Sequence, residues 1–184
     1  MHFSRSLSVD TDEQIARSVQ QGRIDDLALL VERHHSSLLG FLYRMTGGDR
    51  ALAEDLVQDT FLHVLRSIRQ YRPAQRFKPW LYAIALNAAR DHFKRADTRR
   101  TDTVSDEDLA AVPVPMDDPV LTADDIQQIA AAIKRLPLHQ REVVVLRYYE
   151  DWSLAEIAEA LHIPTGTVKS RLSLGLQRLR SLLK

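Results

Sequence analysis

Residues 101–125, TDTVSDEDLAAVPVPMDDPVLTADD, limit the possible folds more than any other part of the chain. The stretch holds eight Asp and Glu, three prolines and no Lys or Arg, and its few apolar residues follow no helical or strand period. Carboxylates crowded in this way repel one another and cannot be buried without partners, and each proline removes a backbone donor. Such a segment connects units and does not build a core. A structureless loop of about 25 residues inside one compact domain is uncommon. The sequence therefore predicts a unit over 10–97, an acidic flexible linker over 98–122 and a second unit over 123–184.

Both flanks read as helices, so the expected fold is all-α, two small helical domains. Glycine is scarce, six residues, and apolar side chains recur mostly at helical spacing. DEQIARSVQQG forms a short helix stopped by Gly22. RIDDLALLVERHHSSLLGFLYRMTG forms a longer one, with Leu27, Leu30, Val31, His34, Leu38 and Leu42 on one stripe. Asp49 caps the next helix, in which Leu52, Leu56, Phe61, Val64, Leu65 and Ile68 recur at helical spacing. Pro73 and Pro79 bracket a loop, and Pro79 suits the first turn of the helix that follows. Beyond the linker, helical order resumes at about Ala123.

The chain has 25 basic and 25 acidic residues, but the charges are arranged in blocks. Residues 66–100 carry ten Lys and Arg against Asp91 and Asp97, and residues 165–184 carry five Lys and Arg and no acid. There is no cysteine, hence no disulfide and no thiolate zinc site. The N-terminus lacks the apolar core of a secretory signal and no apolar run is long enough to span a bilayer, so a cytoplasmic protein without membrane insertion is expected.

SLAEIAEALHIPTGTVKSRLSLGLQRLR has the form of a helix-turn-helix. Ser153 and Glu156 make a capping box, Leu154, Ile157, Ala158 and Leu161 an inner stripe, His162–Pro164 the turn, and Thr165 the next cap. Val168, Leu172, Leu176 and Leu179 then face inward. Lys169, Ser170, Arg171, Ser173, Leu174, Gln177 and Arg178 face outward, a set suited to base edges and phosphates in a major groove. The bland reading is a solvated basic face, but stripe, turn and cap coincide here with a face free of acids.

In the first unit, Leu81, Ala85, Ala88, Ala89 and Phe93 share an inward arc, and Trp80, Asn87, Arg90, Asp91 and Lys94 the opposite one. The preceding loop adds Arg69, Tyr71, Arg72, Arg76, Phe77 and Lys78. Cations that follow a phosphate backbone, aromatics that stack on unpaired bases and an amide that reads a base edge are what single-stranded DNA recognition requires. Core packing is the competing reading for Tyr71 and Trp80. One helix earlier, Glu54, Asp55, Gln58, Asp59 and Leu62 share an outer side, which fits either protein docking or a solvated face.

AEDLVQDTFLHVLRSI, FKPWLYAIALNAARDHFKR and LPLHQREVVVLRYYEDWSLAEIAEALHIPTGTVKSRL, in this order, resemble the signature segments of the extracytoplasmic-function sigma factors of bacterial RNA polymerase. The resemblance spans about Asp12 to Leu183. It implies an initiation factor, not an enzyme and without a cofactor, built from sigma domains 2 and 4. It further implies that Glu54, Asp55, Gln58, Asp59 and Leu62 dock on core polymerase. By the same resemblance Tyr71, Arg72, Arg76, Lys78, Trp80, Asn87, Arg90, Asp91 and Lys94 capture the melted minus-ten strand. Thr165, Lys169, Ser170, Arg171, Ser173, Leu174, Gln177 and Arg178 would read the minus-thirty-five duplex. Core RNA polymerase, promoter DNA and an anti-sigma factor are the implied partners. The linker would thread the basic cleft of the polymerase toward the RNA exit path, or serve only as a solvated spacer.

The sequence departs from the family after KSRL, where SLGLQ replaces further basic residues. Leu174 then touches a thymine methyl, marks a weaker duplex grip, or meets an inhibitor protein. A two-domain regulator binding duplex operators without polymerase is the alternative function; its first half would have to be a phospho-receiver, whose alternating strands and clustered acids are missing. For catalysis, His34 and His35 point to different helix sides and no nucleophile, base and orienter group together.

Overall fold

The computed structural model describes residues 10–97 and 123–183, with side chains over 10–95 and 128–183. The acidic linker, and with it the expected passage toward the RNA exit path, lies outside the described residues. Every regular element among the described residues is helical. The α-helices are α1 (Asp12–Gln20), α2 (Leu27–Met45), α3 (Arg50–Ser67), α4 (Phe77–Asp97), α5 (Ala123–Lys134), α6 (Leu138–Tyr148), α7 (Leu154–Leu161) and α8 (Thr165–Leu182). Short 3-10 turns cover Ile24–Asp26 and Ile68–Gln70.

Local chemistry sets most helix ends. Thr11 accepts from the Gln14 N–H while the Gln14 side chain accepts from the Thr11 N–H, so α1 begins with two orphan donors satisfied. Asp49 accepts from the Leu52 N–H at 3.0 Å and starts α3. Gly22, at φ +99°, turns the chain out of α1 into a backbone region that side-chain-bearing residues avoid. Ser153 and Glu156 form the capping box of α7. His162, left-handed at φ 55°, ends α7 and makes the turn into α8.

The α2 stripe buries Leu30, His34, Leu38, Phe41, Leu42 and Met45 against α1, α3 and α4. Inside the second unit Val143, Leu146, Ile157, Val168 and Leu179 are buried. α6 and α8 cross closely at Gly175, where an added Cβ would lie 2.9 Å from Val144 Cγ2.

The structure corrects the sequence expectations at several positions. Leu65, which recurs at the same helical spacing as the apolar residues around it, is 38% exposed, because the buried face of α3 runs through Leu56, Val57, Thr60, Phe61 and Val64. Thr165 does not cap α8: Pro164 occupies the extended cap position at ψ 147°, and Thr165 is the first helical residue. Leu174, like Arg171 and Ser173, is partly covered rather than fully outward.

The sequence predicts two units but not their contact. α6 and α7 pack on α2 and α4 of the first unit. Tyr82 and Trp152, both buried, meet at the junction with ring centroids 4.8 Å apart. The Arg141 guanidinium donates to the Met45 carbonyl at 2.6 Å, and Arg44 stacks 4.4 Å from the Tyr149 ring centre.

Candidate nucleic-acid and protein interfaces

α3 presents Asp55, Gln58, Asp59 and Leu62 to solvent on one side, with Leu62 48% exposed. Glu54 is half-buried and pairs with Arg50 at 2.9 Å, one turn earlier. Leu62 and the exposed Leu65 give this acidic side an apolar centre, which a merely solvated helix face does not need. The arrangement suits docking to a protein carrying complementary cations and an apolar recess.

The predicted minus-ten residues do not form one open surface. Tyr71 is 2% exposed, so its ring is no stacking platform in this conformation. It lies 4.8 Å from the Trp80 ring and 5.8 Å from Phe77, and its hydroxyl donates to the Gln75 carbonyl at 2.5 Å. Burial, with Glu13 and Asp12 adding, pushes the phenol up to about 12. Tyr71 thus supports Trp80 from beneath and fixes the loop. Trp80 keeps part of its surface and lines a cleft with Arg76, Pro79, Glu159 and His162.

The remaining residues divide between two sides of α4. Asn87 and Asp91 are exposed and line a groove against Asp59, His63 and Ser67 of α3. Arg72 and Lys94 are exposed. Arg90, in contrast, makes a two-toothed ion pair with Glu142 of α6, Nε to Oε1 at 2.6 Å and Nη2 to Oε2 at 2.7 Å. That hydrogen bonding raises the Arg90 guanidinium above its ordinary value. Arg76 reaches Glu156 at 2.7 Å, and the Lys78 ammonium sits 5.4 Å from the Trp152 ring centre.

On α8, Lys169, Ser170, Gln177 and Arg178 are exposed, as is Thr165, while Arg171, Ser173 and Leu174 are partly covered. Ser170 donates to the Thr167 carbonyl and Arg178 to Gln140 at 3.1 Å. Arg171 lines a cleft shared with Arg90, His139 and Glu142. A basic helix start projecting beyond a capped α7 can enter a major groove.

Sequence reasoning missed Glu142, Glu150 and Trp152. The Tyr82 hydroxyl donates to Glu150 at 2.7 Å. Burial pushes the Tyr82 phenol well above its usual range, the bond to Glu150 adding, and burial likewise raises the Glu150 carboxyl. The one available signal was the placement of Glu150 and Trp152 in EDWS just ahead of a helix cap.

Residues 30–99 match the Sigma-70 region 2 family and residues 126–179 the Sigma-70 region 4 family. The chain is 39% identical to the RNA polymerase sigma factor CarQ of Myxococcus xanthus, over 89% of this chain and 92% of that one. It is 31% identical to the ECF RNA polymerase sigma factor SigW of Bacillus subtilis, over 91% and 94%. Among solved structures it is similar to CnrH bound to the cytosolic domain of CnrY, with TM-score 0.69 and 25% identity over 95% of this chain and 97% of that one. It is also similar to the sigma factor RpoE bound to the anti-sigma factor NepR from Bartonella quintana, with TM-score 0.66 and 26% identity over 86% and 96%.

Proposed function

The chain belongs to the extracytoplasmic-function sigma factors of bacterial RNA polymerase, and we propose on that basis how its surfaces divide the work of initiation. The exposed side of α3, Asp55, Gln58, Asp59 and Leu62 with Glu54 at its border, docks on core polymerase. Lys169, Ser170, Arg171, Ser173 and Gln177 of α8, flanked by Thr165, Leu174 and Arg178, read duplex DNA at the minus-thirty-five element. Arg72, Arg76, Lys78, Trp80, Asn87, Arg90, Asp91 and Lys94, with Tyr71 beneath, receive the melted minus-ten strand. An anti-sigma factor holds the protein inactive, and the linker carboxylates compete with RNA for basic polymerase surface.

The mechanism is differential binding. Bases captured only when unpaired make strand opening favourable without ATP. Stacking contributes about 1–3 kcal/mol per base, against about 1.4 kcal/mol lost per base-pair step of DNA stacking. A few captured bases tip that balance.

The observation that carries the reading is the exposed acid, amide and leucine side of α3, left uncovered beside a basic α4. A gel shift of promoter DNA with and without core polymerase tests it. Binding that requires core, and that is lost with Leu62→Glu, is expected. Tight duplex binding by the protein alone would favour the operator-binding regulator, which the full-length relatives do not favour.

A further inference from the structure

The loop that carries several strand-facing residues is tied at both ends to α1, a helix outside both candidate interfaces. At the near end, the Gln20 amide donates to two carbonyls, Ile68 at 2.7 Å and Tyr71 at 2.6 Å. At the far end, the Phe77 N–H donates to the Glu13 carboxylate at 2.9 Å. Glu13 and Gln20 stand two turns apart on one face of α1. We propose that Glu13 and Gln20 are positioning residues for strand capture, fixing the loop between Tyr71 and Phe77 so that Trp80 and the loop cations meet an unpaired strand in one geometry. The inference rests on the assignment of that surface to the melted strand.

Each contact answers a local need of the backbone. Ile68 and Tyr71 lie where α3 has run out into a 3-10 turn, and carbonyls at a helix end lack partners within the helix. Ile68 also accepts from the Tyr71 N–H at 3.2 Å, so the Gln20 amide closes a turn already begun. Phe77 is the first residue of α4, where N–H groups lack helical partners and the helix dipole favours a carboxylate. Pro79, in the same turn, has no N–H to satisfy. With its carbonyl held by Gln20, Tyr71 turns its buried ring under Trp80, 4.8 Å between centroids, and its hydroxyl reaches the Gln75 carbonyl. Arg72 and Arg76 stay exposed between the two ties. α1 is itself anchored on α2, where Asp12 meets the buried His34 Nε2 at 2.7 Å and Arg33 at 3.0 Å. A capturing surface supported in this way binds its target without first having to order itself.

The test uses holoenzyme reconstituted with core polymerase, and a promoter duplex that the parent transcribes. The duplex is offered in a fully paired form and in a form mismatched over minus ten. Gln20→Glu keeps the shape of the side chain but sets a carboxylate, which has no donor, against two carbonyls. It should lower the preference for the mismatched template about fivefold, the low end for one stacked base, and leave affinity for the paired template unchanged. Gln21→Glu, the same charge at the same helix end on an exposed side chain, should keep the preference of the parent. Glu13 gives a reading independent of Gln20. Glu13→Ala should lower the preference, and Glu13→Gln, whose amide oxygen still accepts, should keep it. A contact that only stabilised the fold would weaken binding to both templates alike and leave their ratio intact. An unchanged ratio in Gln20→Glu or in Glu13→Ala therefore overturns the inference. A parent with no preference for the mismatched template overturns the strand assignment itself, and the role of α1 with it.

Discussion

Glu156 joins three roles in one carboxylate. It accepts the Ser153 N–H at 2.9 Å and the Ser153 hydroxyl at 2.8 Å, and it pairs with Arg76 at 2.7 Å. The Ser153 N–H, then its hydroxyl and then Arg76, hold the carboxyl down at about 2. For an acid whose folded value is depressed, the stabilisation is complete above the ordinary value of about 4.3 and is lost as pH falls through the folded value. The melting difference between the parent and Glu156→Gln should thus be constant above about pH 5 and shrink toward zero near pH 2. Thermal melts across that range check it; a difference that vanishes by pH 4 would refute the assignment. Trp80 and Asn87 carry a second prediction. Trp80→Ala and Asn87→Ala should slow open-complex formation on duplex promoters and do so much less on pre-melted ones, as followed by permanganate reactivity. Equal retention on both templates would remove these residues from strand capture. Ser153 was legible in the sequence because a capping box is complete within four residues. The burial of Tyr71 was not, because it depends on where Phe77 and Trp80 arrive after the loop turns.

Among the elements, α3 and α7 follow from periodicity and caps, and α2 and α8 from periodicity alone, all local properties. The side that each helix buries was less legible. Leu65 sits at helical spacing from Phe61, yet it falls beyond the buried face of Leu56, Val57, Thr60, Phe61 and Val64. Gly175 was silent in the sequence and decides how close α6 and α8 come. Gly175→Ala gains up to about 1 kcal/mol of helix propensity. Its Cβ, however, would press on Val144 Cγ2 at 2.9 Å, in a buried side chain that is stiff because it is β-branched. Overpacking of this kind costs about 1–3 kcal/mol. A net loss of about 1 kcal/mol is expected in denaturant melts, with weaker minus-thirty-five binding as α8 is displaced; a stabilised variant would show that the crossing can relax.

In the whole molecule, the helical units can be read from sequence because each buries its own stripe, and the acidic tract announces the break between them. Their docking cannot. Tyr82 and Glu150 are separated by 68 residues and Arg90 and Glu142 by 52, and no local pattern links such positions. The central claim is that the first unit, once held by polymerase, prefers unpaired minus-ten bases to paired ones. The most direct measurement is equilibrium binding of the reconstituted holoenzyme to two promoter templates, one with a mismatched bubble at minus ten and one fully paired. The bubble should bind at least about fivefold tighter, since one captured base is worth about 1–3 kcal/mol and about 1.4 kcal/mol is a factor of ten, and Trp80→Ala should narrow the ratio. Equal affinity for both templates, with no transcript from either, would contradict it.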